Sequence, residues 1–101
     1  MKYPLRRKAE GEECQLRMPG VCNFNSETTV LCHIRRGNVA GMGQKPRDII
    51  GVYGCSDCHS IIDRRTGQGD WSVAEIDGYL LDALCRQLDY WVERGDVVIA
   101  P

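Results

Sequence analysis

The chain has 101 residues, 43% of them hydrophobic, with six cysteines, two histidines and a net charge of −1. A chain this short is expected to make one domain, 1–101, whose small core needs a staple. The basic start, Met1 to Lys8, is not followed by an apolar stretch of signal-peptide length, and no run is long enough to span a membrane. A cytoplasmic protein with no membrane partner is therefore expected, and cysteine clusters in that reducing compartment bind metal more often than they form disulfides. The charge is unevenly spread. Residues 1–47 carry nine Lys/Arg against four Asp/Glu, and residues 48–101 carry four against ten. A basic front and an acidic back suit a protein that presents one face to a polyanion.

In chain order, the first dozen residues read as a basic arm or short helix leading to Cys14. A Pro-Gly turn at Pro19-Gly20 lies between Cys14 and Cys22, and Asn23 to Glu27 is loop chemistry. Thr28 to Ile34 is β-branched and apolar and predicts a strand ending at His33. Arg35 to Arg47 is a basic, glycine-rich loop. Ile49 to Tyr53 predicts a second strand. A tight turn at Gly54 to Cys58 follows, and Ser56 or Asp57 is placed to cap a helix running to about Thr66, with Gly67 as its stop. Val73, Ile76, Leu80, Leu84, Leu88 and Trp91 recur at helical steps and predict an amphipathic helix over about 72–94, capped by Ser72 and ended by Gly95.

Cys55-x2-Cys58 is the strongest single motif, because a two-residue gap lets both thiolates face one ion from a tight turn. A structural zinc site needs four ligands, and Cys14 with Cys22 is the best second pair, through an expanded loop around Pro19-Gly20. Two cysteines remain. Cys85, inside the last helix, reads as a small buried apolar residue. Cys32 reads as a core residue whose strand neighbour His33 points the other way, with a fifth-ligand or nucleophile role as the alternative.

The order strand-His, glycine-rich loop, strand, Cys-x2-Cys-His, helix resembles the HNH (ββα-metal) nucleases. The runs Glu13-Cys-Gln, Pro19-Gly-Val-Cys-Asn23, His33-Ile-Arg35 and Cys55-Ser-Asp-Cys-His59 with Ile62-Asp-Arg-Arg65 resemble, more narrowly, the YbcO-type nucleases of bacterial prophages. The resemblance implies an α+β fold: a small zinc-bound ββα-metal, treble-clef-like unit over about 13–66, with the C-terminal helix added. It also implies a metal-dependent endonuclease acting on DNA. His33 would be the general base that activates water, as an imidazole titrating near neutral pH suits. His59 would bind a divalent ion, Mg2+ or Mn2+. Asp63, one helical turn later, would share that ion, and Zn2+ would sit on the four cysteines. Family members often carry an acidic residue before the base histidine, where this chain has Cys32. Asp48 is left either to orient His33 or to reach the metal, and Asn38 is another orienting candidate. Arg35, Arg36, Lys45, Arg47, Arg64 and Arg65 would meet backbone phosphates. A homodimer would let so small a domain cut both strands. The alternative is a non-catalytic zinc-binding module that grips nucleic acid, and a third reading is an adaptor using the last helix.

Overall fold

The computed structural model describes residues 5–34, 46–63 and 71–100. Strand β1 (Val30–His33) pairs antiparallel with β2 (Gly51–Gly54), helix α1 (Ser56–Ile62) follows at once, and the long helix α2 (Val73–Arg94) closes the fold. The architecture is α+β, a two-stranded sheet with two helices. No helix among the described residues is long and apolar enough to cross a membrane.

The register Leu31↔Tyr53 and Cys32↔Val52 sorts side chains to the two faces of the sheet. Cys32 and Val52 face a cluster with Leu16, Met18, Cys14, Cys55, Cys58, Ile76 and Ala83. Leu31 and Tyr53 join Ala9 and Trp91 on the other side. Tyr53 and Trp91 are both fully buried. Their rings meet edge to face at 5.7 Å, and the indole N–H donates to the Tyr53 hydroxyl at 2.8 Å, so neither polar tip is stranded.

The strands are shorter than their β-branched runs suggested. Ser26–Thr28 forms a 3-10 turn, capped by the Asn25 side chain on the Glu27 amide, so β1 begins at Val30 rather than Thr28. Arg47 to Ile50 makes a turn, in which Ile50 N donates to Arg47 O at 2.9 Å, so β2 begins at Gly51 rather than Ile49. The cap of α1 is neither Ser56 nor Asp57. Cys55 takes that place, its Sγ accepting from Cys58 N at 3.4 Å. Helix α1 ends at Ile62 with Asp63 as its C-cap, short of Thr66. Thr66, Gly67, Asn38 and most of the glycine-rich loop lie outside the described residues.

Helix α2 matches its expected ends. Ser72 and Glu75 form a reciprocal capping box, and Gly95 takes the left-handed conformation (φ 79°) that a residue with a Cβ resists. Its buried face is turned from the expected stripe. Ile76, Ala83, Gln87 and Trp91 are buried, Leu80 and Leu84 are half-buried, and Val73 and Leu88 are exposed. Gln87 explains the rotation: its Oε1 accepts from Tyr53 N at 2.8 Å and so satisfies the outer edge of β2. Gln15 N covers the same residue's carbonyl at 2.8 Å. Cys85 is exposed, not buried, because it stands two residues from both Ala83 and Gln87 and so turns to the far side.

Candidate functional site: a four-cysteine cluster and two histidine–carboxylate pairs

Three segments bring the cysteines together. The Cys14 loop folds back through Arg17, whose amide donates to Cys14 Sγ at 3.4 Å from a left-handed backbone (φ 48°). Val21 and Cys22 donate their amides to Met18 O, which closes the expanded turn and turns Cys22 inward. Cys55 and Cys58 arrive from the β2–α1 junction. The four sulfurs lie within 4.8 Å of one another, and among the described residues this is the only group of three or more such side chains that could hold a metal ion.

The spacing discriminates between chemistries. A disulfide needs sulfurs about 2.05 Å apart, whereas Cys22 and Cys55 lie 3.9 Å apart. Four thiolates at about 2.3 Å from one tetrahedral ion stand about 3.8 Å from each other. The amides of Arg17 and Cys58 give sulfur a hydrogen-bonding partner in an otherwise apolar pocket. The residues present therefore fit a structural metal site.

The sulfurs also share protons unevenly. Cys14 is held down to about 4, chiefly because Cys58 donates a hydrogen bond to it, with the amides of Arg17 and Cys55 adding to this against the desolvation of burial. Cys58 is pushed up by giving that bond and by burial. Cys22 is pushed up to about 11, first by burial and then by the charge on its sulfur neighbours. Cys14 is thus favoured as the thiolate while Cys22 and Cys58 hold their protons, which a metal ion would have to displace.

Each histidine has a carboxylate partner. His33 ends β1, and its Nε2 lies 2.9 Å from Asp48 Oδ1, with the imidazole side chain only 10% exposed. Two local features set this pair. Ile34 N donates to Ile50 O at 3.0 Å, extending the ladder past β1, and the turn before Gly51 swings Asp48 back over the strand end. Gly51 faces His33 across the ladder, and a Cβ there would sit 3.0 Å from Cys32 O. His59 lies on α1, and its Nε2 is 2.9 Å from Asp63 Oδ2, one turn on. Adjacent ligands on an octahedral ion with bonds of about 2.1 Å stand about 3.0 Å apart, so this pair fits one edge of such a site. No third His, Cys or carboxylate among the described residues joins either pair as a metal-holding group.

Of the expected phosphate contacts, Arg47 is described and exposed, on the turn that carries Asp48. Arg35, Arg36, Lys45, Arg64 and Arg65 lie outside the described residues. Sequence reasoning missed Asn23, whose Nδ2 reaches Thr28 Oγ1 and Ser56 Oγ at 3.2 Å and Asp57 Oδ2 at 3.1 Å. This amide ties the Cys22 side of the cluster to the start of α1. Its sequence signals are its place directly after Cys22 and its membership of the run Pro19-Gly-Val-Cys-Asn23.

A protein-family model described as "Putative nuclease YbcO" matches residues 3–96. The chain belongs to the YbcO family. It is 46% identical over 91 residues to "Putative nuclease YbcO" of Escherichia coli (strain K12), covering 90% of this chain and 93% of that relative. The same identity and coverage hold for "Putative nuclease ybcO" of Enterobacteria phage 82. Among solved structures it is similar to one titled as a putative bacteriophage protein from Escherichia coli K-12. The TM-score is 0.74 and the identity 39%, over 91% of this chain and all of that one.

Proposed function

We propose that this YbcO-family chain is an HNH-type, metal-dependent endonuclease that hydrolyses phosphodiester bonds in DNA. The observation that carries the reading is the His33–Asp48 pair: a largely buried imidazole at a strand end, held at 2.9 Å by a carboxylate. A carboxylate at Asp48 would accept a hydrogen bond from Nε2–H, which leaves Nδ1 to take a proton from water. Asp48 therefore fixes both ring orientation and tautomer. His59 and Asp63 would hold the catalytic divalent ion. When bound, that ion stabilises negative charge developing on the phosphate and the leaving oxygen. Zn2+ on Cys14, Cys22, Cys55 and Cys58 would hold the base strand and the metal helix in register. The names carried by the E. coli and phage relatives support the nuclease class.

Plasmid nicking by the purified protein, with magnesium, manganese or EDTA, tests the reading beside His33→Ala. Divalent-dependent nicking is expected. It should fall roughly 10²- to 10⁴-fold in the variant, with metal content and melting temperature unchanged. Undiminished nicking by His33→Ala would refute the base assignment. DNA binding without nicking under any divalent ion would favour the non-catalytic zinc module.

A further inference from the structure

Phe24 is at odds with the rest of the apolar residues. It is 86% exposed, the most exposed of the large hydrophobics among the described residues. Its backbone is left-handed, with φ 56°, a conformation that a bulky aromatic residue rarely adopts. The loop is nevertheless firmly built. Asn25 N donates to Asn23 Oδ1 at 2.8 Å and Glu27 N to Asn25 Oδ1 at 3.1 Å, so the ring is held outward from both sides. An outlier that the surroundings over-determine points toward function rather than accident.

What lies beside the ring gives the chemistry. A cavity of about 360 Å³ is lined by Glu13, Cys14, Arg17, Cys22, Phe24 and Ser26. Arg17 is exposed and spends only its Nε on the protein, donating to Cys14 O at 3.2 Å. Its two terminal nitrogens have no partner among the described residues. The cavity thus offers one flat aromatic face, one guanidinium, a hydroxyl at Ser26 and a carboxylate at Glu13, beside Cys14 and Cys22 of the four-cysteine cluster. A nucleobase has a π-face for stacking, an edge for hydrogen bonds and a phosphate one bond series away. A paired base inside a duplex cannot present its face, so the ligand must be unpaired.

We propose that Phe24 is a stacking platform for an unpaired nucleobase, with Arg17 holding the adjoining backbone phosphate. The proposal deepens the nucleic-acid reading above and rests on it. Asn23, directly before Phe24, reaches Ser56 and Asp57 at the start of α1, and His59 stands three residues beyond Ser56, about 4.5 Å along the helix axis. A base seated on Phe24 therefore brings single-stranded or distorted nucleic acid alongside the helix that carries His59 and Asp63. The substrate class that follows is DNA with an unpaired segment, such as a flap, a gap or a branch.

The test is fluorescence anisotropy of a labelled (dT)12 oligonucleotide with the metal-loaded protein, without added magnesium or manganese, over a salt series. The same oligonucleotide with abasic central positions runs beside it. Phe24→Ala is expected to weaken binding roughly ten- to a hundredfold, the size of one base–aromatic stack, with an unchanged salt slope. Phe24→Trp should restore binding, which keeps the test decisive even if the alanine variant melts lower. Arg17→Gln retains a donor for Cys14 O and should lower the salt slope by about 1. Equal affinity of wild type and Phe24→Ala, equal affinity for normal and abasic strands, or no binding by wild type would each overturn the proposal. Plasmid nicking measured in parallel separates the two readings. Nicking by wild type with Phe24-independent binding removes the platform alone. Phe24-dependent binding without nicking removes the nuclease alone.

Discussion

Removing the metal from the four-cysteine cluster should unfold this protein. Cys14, Cys55 and Cys58 are buried at 8%, 0% and 0% exposure, and they pack with Leu16, Met18, Val52, Ile76 and Ala83 as part of one core. An ion held by these sulfurs would thus be no appendage but the centre of the larger of two clusters. It would tie the Cys14–Cys22 loop to the β2–α1 junction, 33 residues on from Cys22. Domains of this size have a total stability of about 5–15 kcal/mol, and a structural zinc in small peptides contributes about 10–16 kcal/mol near neutral pH. The loss is as large as the whole. Each kcal/mol moves the midpoint of a domain this size by about 4–8 °C, so chelation should abolish the cooperative transition rather than shift it. Some helical signal should survive from α2, whose 22 residues and capping box exceed the length below which isolated helices fail. Far-UV circular dichroism melts before and after chelation, with metal content measured on the same sample, provide the assay. A demetallated protein that melts within a few degrees of the original would refute the reasoning.

The sulfurs, the base pair and the core give further expectations. Acidification sets protons against the metal for the thiolates, and Cys22, which binding must deprotonate, is pushed up to about 11 without it; metal release and unfolding should therefore coincide as pH falls, and acid unfolding that precedes metal release would count against the coupling. Asp48→Asn should lower nicking by roughly tenfold or more, because an amide facing Nε2 no longer fixes the tautomer, while leaving the melt unchanged; equal rates would remove Asp48 from the site. Gly54→Ala places a Cβ 2.7 Å from both Cys32 Sγ and Leu16 Cδ1, so a loss of about 1–3 kcal/mol is expected in denaturant titrations, partly relieved by Cys32→Ala; additive effects of the two substitutions would deny the contact. Cys85→Ser, on the exposed side of α2, should change stability by less than about 0.5 kcal/mol and leave metal content at wild-type level.

Much of the local chemistry was legible without a structure, although the cap of α1 is Cys55 and not Ser56 or Asp57. Helix α2 announces itself through Ser72 and Gly95, because a cap is decided by residues three or four apart; the structure adds Glu75 to the Ser72 cap. Cys55-x2-Cys58 and the His59–Asp63 spacing are equally local, and both meet as their spacing implies. Long-range pairing was not legible to the same degree. Asp48 had two candidate roles, orienting His33 or reaching the metal, and only the β1–β2 register and the turn before Gly51 bring it to His33, fifteen residues away. The periodicity of α2 located an apolar face but not its rotation. That was set by a backbone amide on β2, which drew Gln87 into the core and left Leu88 and Cys85 outside. Phe24 reads in the sequence as one more apolar residue in a loop; its outward ring depends on the backbone hydrogen bonds that the Asn23 and Asn25 side chains accept. A sequence determines what neighbours three or four residues apart can do. Which distant groups meet is decided only when the strands choose their register and the core chooses which side chains it can hold.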